Sequence, residues 1–209
     1  EKILSQEIKD KLKRADVTIL PYEEIEKQVG SLQAGQRLWA DGRRVNYQLL
    51  NTIPAGVEQL DQPGPAALMK AVKTPEEMAH LRAAHVKDGV AVTRFIRFLK
   101  TRVGREEITE MSAAGVLEGF RKEMEGYLGS SFAPIIAYGP HGAIVHYEAV
   151  PDTDAQIQPR GLCLADTGGH YEEGTTDITR TIALGELTAE EKRAYTLVLK
   201  GHRRLGAAK

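Results

Sequence analysis

The spacing of apolar residues after position 73 predicts three helices. Thr74-Pro75-Glu76-Glu77 begins the first, because threonine can cap a helix, proline suits the first turn and acids complement the helix dipole. Apolar residues then recur at helical spacing to residue 100, and a similar pattern predicts a second helix over residues 106–125. Thr188 and Glu191 match a capping box, which predicts the start of the third helix.

Between the second and third helices, four segments have the apolar and β-branched composition of strands. They are residues 132–137, 143–147, 161–166 and 176–184. The resulting order of two helices, four strands and one helix predicts an α+β fold with a mostly antiparallel sheet for residues 71–209.

Residues 1–70 alternate strand-like and helical segments, which is typical of an α/β domain. The predicted elements are a strand at 17–20, a helix at 22–29, a strand at 37–40 and a helix at 44–50. Residues 51–66 hold prolines and glycines in loose order, so we expect a linker or long loop there. The predicted domains are therefore residues 1–70 and 71–209.

Both ends of the chain lie in helical patterns. The sequence opens at Glu1 without an initiator methionine and closes at Lys209 without a helix stop signal. We therefore expect these 209 residues to be an internal piece of a longer protein.

Composition argues against several classes of protein. The 28 basic and 29 acidic side chains give a net charge of −1 without a basic stripe, so nucleic acid is not expected as a partner. The apolar runs are too short to span a membrane, and no signal-peptide pattern opens the chain. The single cysteine, Cys163, lies in an apolar strand and is expected to be a small buried hydrophobe. These points favour a reducing, cytoplasmic setting.

Two aspartates are the candidate metal ligands. Asp166 ends an apolar strand, a Gly-Gly turn region follows, and a β-branched run then carries Asp177, which predicts a hairpin with an acid on each arm. Acids opposite each other would lie about 5 Å apart and would repel unless a proton or cation lay between them. One or two hard divalent metal ions would relieve that repulsion. The spacing leaves a second interpretation open, in which both are turn or capping carboxylates.

His146 is the third candidate and lies in the predicted strand 143–147. A lone histidine in a strand is more commonly structural, so the pattern alone leaves its role open. His141 would lie on the opposite face of a continuous strand and is a poor chelating partner for His146.

Several segments resemble aminopeptidase P, one of the pita-bread metallopeptidases, a group that includes prolidase, methionine aminopeptidase and creatinase. The similar segments are residues 139–147, 166–171, 174–181 and 195–202. Within them, Ile144-Val145-His146-Tyr147 and Lys200-Gly201-His202 point to aminopeptidase P itself. Residues 73–99 resemble the helix that opens the catalytic domain, and residues 38–41 and 45–47 resemble the end of the preceding domain in the larger, three-domain enzymes.

The resemblance implies a fold and a ligand set. Residues 1–70 would be the C-terminal part of a creatinase-N-terminal-like α/β domain plus a linker, and residues 71–209 the first half of the pita-bread domain. The family site is dinuclear, usually manganese, and is held by two Asp, one His and two Glu. Its first Asp falls on Asp166 and its second, which bridges both metals, on Asp177, while the substrate-contacting histidine falls on His146. The remaining His and two Glu ligands would lie beyond residue 209.

The implied reaction is hydrolysis of the N-terminal X-Pro bond of peptides whose second residue is proline. The metals would share a hydroxide that attacks the carbonyl carbon, and His146 would hydrogen-bond the oxyanion or the substrate. Since the chain offers two of five ligands, we expect the isolated chain to bind metal weakly and to be inactive. Half of the fold would also expose an interface, and a homodimer of the parent protein is left open.

Two alternative functions stay open. One is a prolidase that cleaves X-Pro dipeptides, and the other is a peptide- or protein-binding module of the same fold that has lost its metals. Retention of Asp166, Asp177 and His146 argues against the module, because such a module has no need of two apposed acids.

Overall fold

The computed structural model describes residues 4–208, and the chain divides after Lys73 into two units. In the second unit, helices lie beside antiparallel strands, so the predicted α+β class is confirmed. Within the described range, no helix has the length and apolar character needed to cross a membrane.

The first unit is a small α/β assembly. Its elements are α1 (Gln6–Arg14), α2 (Ile25–Gly30), β1 (Arg37–Ala40), α3 (Tyr47–Asn51), β2 (Glu58–Asp61) and α4 (Pro65–Ala71). β1 and β2 pair in parallel, with Arg37 opposite Glu58. The predicted helix near 22–29 and the strand at 37–40 are both observed.

Two predictions for the first unit are wrong. Residues 17–20 form no strand, and within residues 4–208 no strand pairs with them, so their apolar side chains do not build a sheet. The expected loop at 51–66 contains β2 and the start of α4. β2 has only one apolar residue, Leu60, so its sequence has little intrinsic preference for a strand. Its pairing with β1 therefore determines its extended conformation.

The helices of the second unit begin at capping boxes. They are α5 (Pro75–Arg102), α6 (Glu110–Lys122) and α7 (Ala189–Gly206). The Thr74 hydroxyl accepts from the Glu77 amide while the Glu77 carboxylate accepts from the Thr74 amide, and Thr188 caps α7 in the same way, as predicted. α6 starts four residues later than predicted, because Thr109 caps it there.

Two three-stranded antiparallel sheets lie between α6 and α7. The strands are β3 (Tyr127–Ser130), β4 (Ile135–Tyr138), β5 (Leu162–Thr167), β6 (Gly169–Tyr171), β7 (Gly174–Thr175) and β8 (Ile178–Ala183). One sheet has the order β4-β5-β8 and the other β3-β6-β7. The predicted antiparallel pairing around the two aspartates is therefore present, with the β6–β7 hairpin inserted between its arms.

The predicted strand at 143–147 is wrong. A 3-10 helix occupies Gly139–Ala143, and His146 follows in a turn with φ at +55°. Val145 is 82% exposed, so the apolar run that suggested a buried strand is not buried. Pro140 at the start of the 3-10 helix and the left-handed backbone at Gly139 favour a turn instead.

The core of the second unit lies on one face of the β4-β5-β8 sheet. Cys163 and Ala165 of β5 pack there with α5 and α6, through buried residues such as Phe95 and Leu117. Side chains alternate along a strand, so Asp166 projects from the opposite face. The Cys163 thiol is fully buried, and that burial raises its pKa to about 12, as expected for a structural residue.

Candidate metal centre

Asp166 and Asp177 are carried by neighbouring antiparallel segments but are not directly opposite each other. The partner of Asp166 across the ladder is Thr179, two residues after Asp177. The predicted direct pairing is therefore wrong by two positions, and Asp177 lies just before β8. Diagonal neighbours across such a pair are about 7–8 Å apart, a gap that carboxylates with one or two hard cations between them can span.

Their surroundings suit oxygen-ligated ions. Asp166 is half-buried, and its Oδ1 accepts a hydrogen bond of 2.8 Å from the Thr179 hydroxyl, which fixes the orientation of the carboxylate. Asp177 is exposed. The thiol of Cys163 lies on the other face of β5, so this face offers hard carboxylate oxygens, the donors that manganese and magnesium prefer. Among residues 4–208, no group of three or more His, Cys, Asp or Glu residues could hold a metal.

His146 lies in the turn that follows the 3-10 helix. Its side chain is exposed, and its left-handed backbone is uncommon for a residue other than glycine. The 3-10 helix packs near the face of β5 that carries Asp166, since a Cβ added to Gly142 would lie 3.9 Å from Cβ of Leu164. Strained residues of this kind cluster at functional sites, which keeps His146 a candidate.

Glu110 anchors the segment that carries His146. Glu110 is fully buried, and its carboxylate accepts from Nδ1 of His141 at 2.9 Å and from the Tyr147 hydroxyl at 2.8 Å. It also accepts from the backbone amide of Tyr138 at 2.7 Å. The two residues that flank the His146 turn in the chain are thus tied to α6. Sequence reasoning missed this acid, although its position three residues before the buried Ala113 was a signal, since Glu110, Ala113 and Leu117 share one helix face.

A second buried network lies directly beneath the two aspartates. Arg121 and Asp88 form a fork-like ion pair, with Nε to Oδ1 at 2.7 Å and Nη2 to Oδ2 at 3.1 Å. Arg121 Nη2 also donates to the Thr167 hydroxyl at 3.0 Å, while the Thr176 hydroxyl donates to Asp88 at 2.6 Å. The Tyr171 hydroxyl donates to Asp88 as well, and burial raises the pKa of Tyr171, so the phenol stays protonated.

This network too was missed from the sequence. The signal was a charge on an apolar helix face: Asp88 lies four residues after the buried Ala84, and Arg121 four after the buried Leu117. Two opposite charges at core positions of neighbouring helices are expected to pair, because an unpaired buried charge is too costly.

Gly168 is required where β5 turns toward β6. A Cβ at this position would lie 2.1 Å from the carbonyl oxygen of Thr176 and 2.2 Å from Oγ of Ser131. We expect Gly168→Ala to lower the free energy of unfolding by more than about 2 kcal/mol, because backbone has to move. Urea denaturation followed by circular dichroism measures the change.

Gly119→Ala is the matched control for Gly168→Ala. Gly119 lies exposed inside α6 with no atom within 4 Å of an added Cβ, so alanine should raise stability by about 0.5–1 kcal/mol. A neutral Gly168→Ala variant would contradict the packing described for this turn.

Comparison with known proteins gives a consistent result. Residues 79–209 match the metallopeptidase family M24, and residues 1–77 match the creatinase/prolidase N-terminal domain. The Xaa-Pro aminopeptidase ApepP of Drosophila melanogaster is 34% identical over 194 residues, which cover 91% of this chain and 31% of that protein. Aminopeptidase P1 of Lotus japonicus is 37% identical over 193 residues, which cover 82% of this chain and 29% of that protein. The chain thus spans about a third of the length of these curated relatives.

Solved structures agree with the sequence relatives. The X-prolyl aminopeptidase of Caenorhabditis elegans, described as a cytosolic enzyme with a di-nuclear active site, superposes with a TM-score of 0.80 at 25% identity, covering 90% of this chain and 32% of that one. The Xaa-Pro dipeptidase of Bacillus anthracis gives a TM-score of 0.66 at 27% identity, and the superposition covers 88% of this chain and 50% of that one. The predicted aminopeptidase P-like, pita-bread fold is confirmed. This chain belongs to the M24 metallopeptidase family.

Proposed function

We propose that the protein containing this chain is a cytosolic, dinuclear metal-dependent aminopeptidase that hydrolyses the N-terminal X-Pro bond of peptides. The observation that carries the proposal is the placement of Asp166 and Asp177 on adjoining antiparallel segments, on the sheet face away from the core. The named Xaa-Pro aminopeptidase relatives, and the C. elegans enzyme described as cytosolic with a di-nuclear site, support it. Residues 1–70 would then belong to the preceding domain and 71–209 to the first half of the catalytic domain.

Asp166 and Asp177 would hold the ions, and manganese is the proposed metal because the donors on this face are oxygens. When bound, a pair of divalent ions supplies positive charge that activates water and polarises the scissile carbonyl. The hydrogen bond from the Thr179 hydroxyl fixes the orientation of the Asp166 carboxylate, which would hold one of the ions. His146, exposed in its turn, would donate a hydrogen bond to the substrate or to the oxyanion.

The test uses the whole protein. Stoichiometric metal analysis should find two Mn²⁺ per chain, and a tripeptide with proline in second position should lose its first residue. The matched control substrate has alanine in place of proline and should be cleaved far more slowly. A whole protein that holds no metal and cleaves neither peptide would contradict the proposal and would favour a metal-free binding module.

The same measurements on the 209-residue chain should give a different result. Two carboxylates offer two negative charges against the four positive charges of two divalent ions, so binding should be weak and turnover absent. Tight two-metal binding, or cleavage of the tripeptide by this chain alone, would show that the two aspartates need no further ligands.

A prolidase is the second candidate, favoured by the structural similarity to the Xaa-Pro dipeptidase of Bacillus anthracis. The two activities differ in substrate length. A prolidase would cleave the X-Pro dipeptide and spare the tripeptide, whereas an aminopeptidase would cleave the tripeptide.

A further inference from the structure

We propose that the buried Asp88–Arg121 pair is a positioning device that sets where Asp166 and Asp177 stand relative to each other, acting through Thr167 and Thr176. This inference rests on the proposed metal-dependent function. It assigns a role to two residues that do not themselves face the metals.

A contribution to the stability of the fold does not by itself explain why this ion pair is buried here. Both partners are almost completely removed from water, with Arg121 1% and Asp88 0% exposed. Desolvating two charges costs so much that well-packed apolar residues in their place are commonly as stable or more so. A buried pair is better explained by the geometry that it fixes. The planar guanidinium fork fixes direction as well as distance.

The pair reaches both metal-bearing segments at the residue next to each aspartate. Arg121 donates to Thr167, which follows Asp166, and Asp88 accepts from Thr176, which precedes Asp177. Both threonines are buried, at 1% and 0% exposure. Since neighbouring side chains on an extended segment point to opposite faces, holding each threonine inward fixes the backbone from which the adjacent carboxylate projects outward.

Further bonds hold Thr176 in one place. Its hydroxyl accepts from the Gly169 amide at 2.9 Å while donating to Asp88, and its carbonyl accepts from the Ser131 hydroxyl at 3.0 Å. Thr167 is held by pairing with Ile178 across the ladder. The two segments are thus joined through one charged pair on α5 and α6, and a change in that pair moves both carboxylates together.

The test measures Mn²⁺ affinity of the whole protein by calorimetric titration, so that it does not depend on turnover. Thr176→Val keeps the shape of the side chain and removes the hydroxyl, and it should weaken Mn²⁺ binding about tenfold, as for other groups that orient metal ligands. Thr176→Ser keeps the hydroxyl and should restore the affinity. Thr167→Val removes only the hydroxyl that accepts from Arg121, and it should also weaken Mn²⁺ binding. This second variant keeps the inference testable if the Thr176 variant does not fold.

Ile182→Val is the control for a merely structural effect. Ile182 lies in β8 and packs into the core on the same face as Thr167, outside the network. The Ile182→Val variant should lower the thermal midpoint by about as much as the threonine variants do, but its Mn²⁺ affinity should stay within about twofold of wild type. Three results would overturn the inference while the proposed function stands. They are wild-type Mn²⁺ affinity in both Thr176→Val and Thr167→Val, failure of Thr176→Ser to restore Mn²⁺ binding, and an equal loss of Mn²⁺ affinity in Ile182→Val. A wild-type protein that binds no Mn²⁺ would overturn both.

Discussion

On the proposed function, Asp166→Asn is expected to lower kcat/KM of the whole protein for an X-Pro tripeptide by at least about 10³-fold, because losing the proposed metal ligand would remove several kcal/mol of transition-state stabilisation. Asparagine keeps the size of the side chain, and its amide oxygen can still accept from Thr179. The loss would therefore come from the missing negative charge. Steady-state kinetics and metal analysis of the purified variant measure it.

The free energy of unfolding of the same variant separates a site defect from a folding defect. Without metal, Asp166 and Asp177 repel each other, so removing one charge should leave stability unchanged or slightly higher. Glu172→Gln is the matched control, since Glu172 is an exposed acid in the turn between β6 and β7. It should keep full activity. Full activity and metal content in Asp166→Asn would end the case for this residue as a ligand.

Arg121→Met should lower the free energy of unfolding of the second unit by about 3–5 kcal/mol, because it leaves the Asp88 charge buried without its partner. Asp88 would retain the hydroxyls of Tyr171 and Thr176, which do not carry the compensating charge. Urea denaturation of the 209-residue chain followed by circular dichroism measures the change. Trp39 lies in the first unit, so tryptophan fluorescence would report on the wrong part of the chain.

A double variant tests whether the charge is the cause. Asp88→Asn combined with Arg121→Met removes both charges and keeps an oxygen acceptor for one of the two hydroxyls, so it should be more stable than Arg121→Met alone. The surface control is Arg102→Met at the end of α5, the helix of Asp88, which removes the exposed pair with Glu106 and should cost no more than about 1 kcal/mol. Equal losses in Arg102→Met and Arg121→Met would show that burial does not matter here.

Short-range signals predicted the parts of the fold that depend on neighbouring residues. The capping boxes at Thr74 and Thr188 are satisfied by a residue three positions away, so their sequence is sufficient to locate the starts of α5 and α7. The strand pairing around Asp166 was predictable for a similar reason, since apolar and β-branched runs flank a glycine-rich turn.

Contacts with residues distant in sequence determine the parts of the fold and of the site that the sequence did not predict. Residues 143–147 have a strand-like composition, but the buried Glu110, more than thirty residues earlier, holds the flanking His141 and Tyr147 in a turn. The two-position offset between Asp166 and Asp177 has a comparable cause, because the β6–β7 hairpin inserted between them sets the register of β8. Periodicity within one segment holds no information on either contact.

The inward threonines and outward aspartates have a consequence for folding. A slip of β8 against β5 by one residue would reverse the faces of the β8 segment, turning the Asp177 carboxylate toward the apolar core and the Thr176 hydroxyl toward water. Such a misaligned species would leave the carboxylate of Asp88 without the hydrogen bond that it accepts from the Thr176 hydroxyl in the native chain. The penalty against that species is high, so the chain is guarded against a non-native alignment that would otherwise conserve most of its backbone pairing.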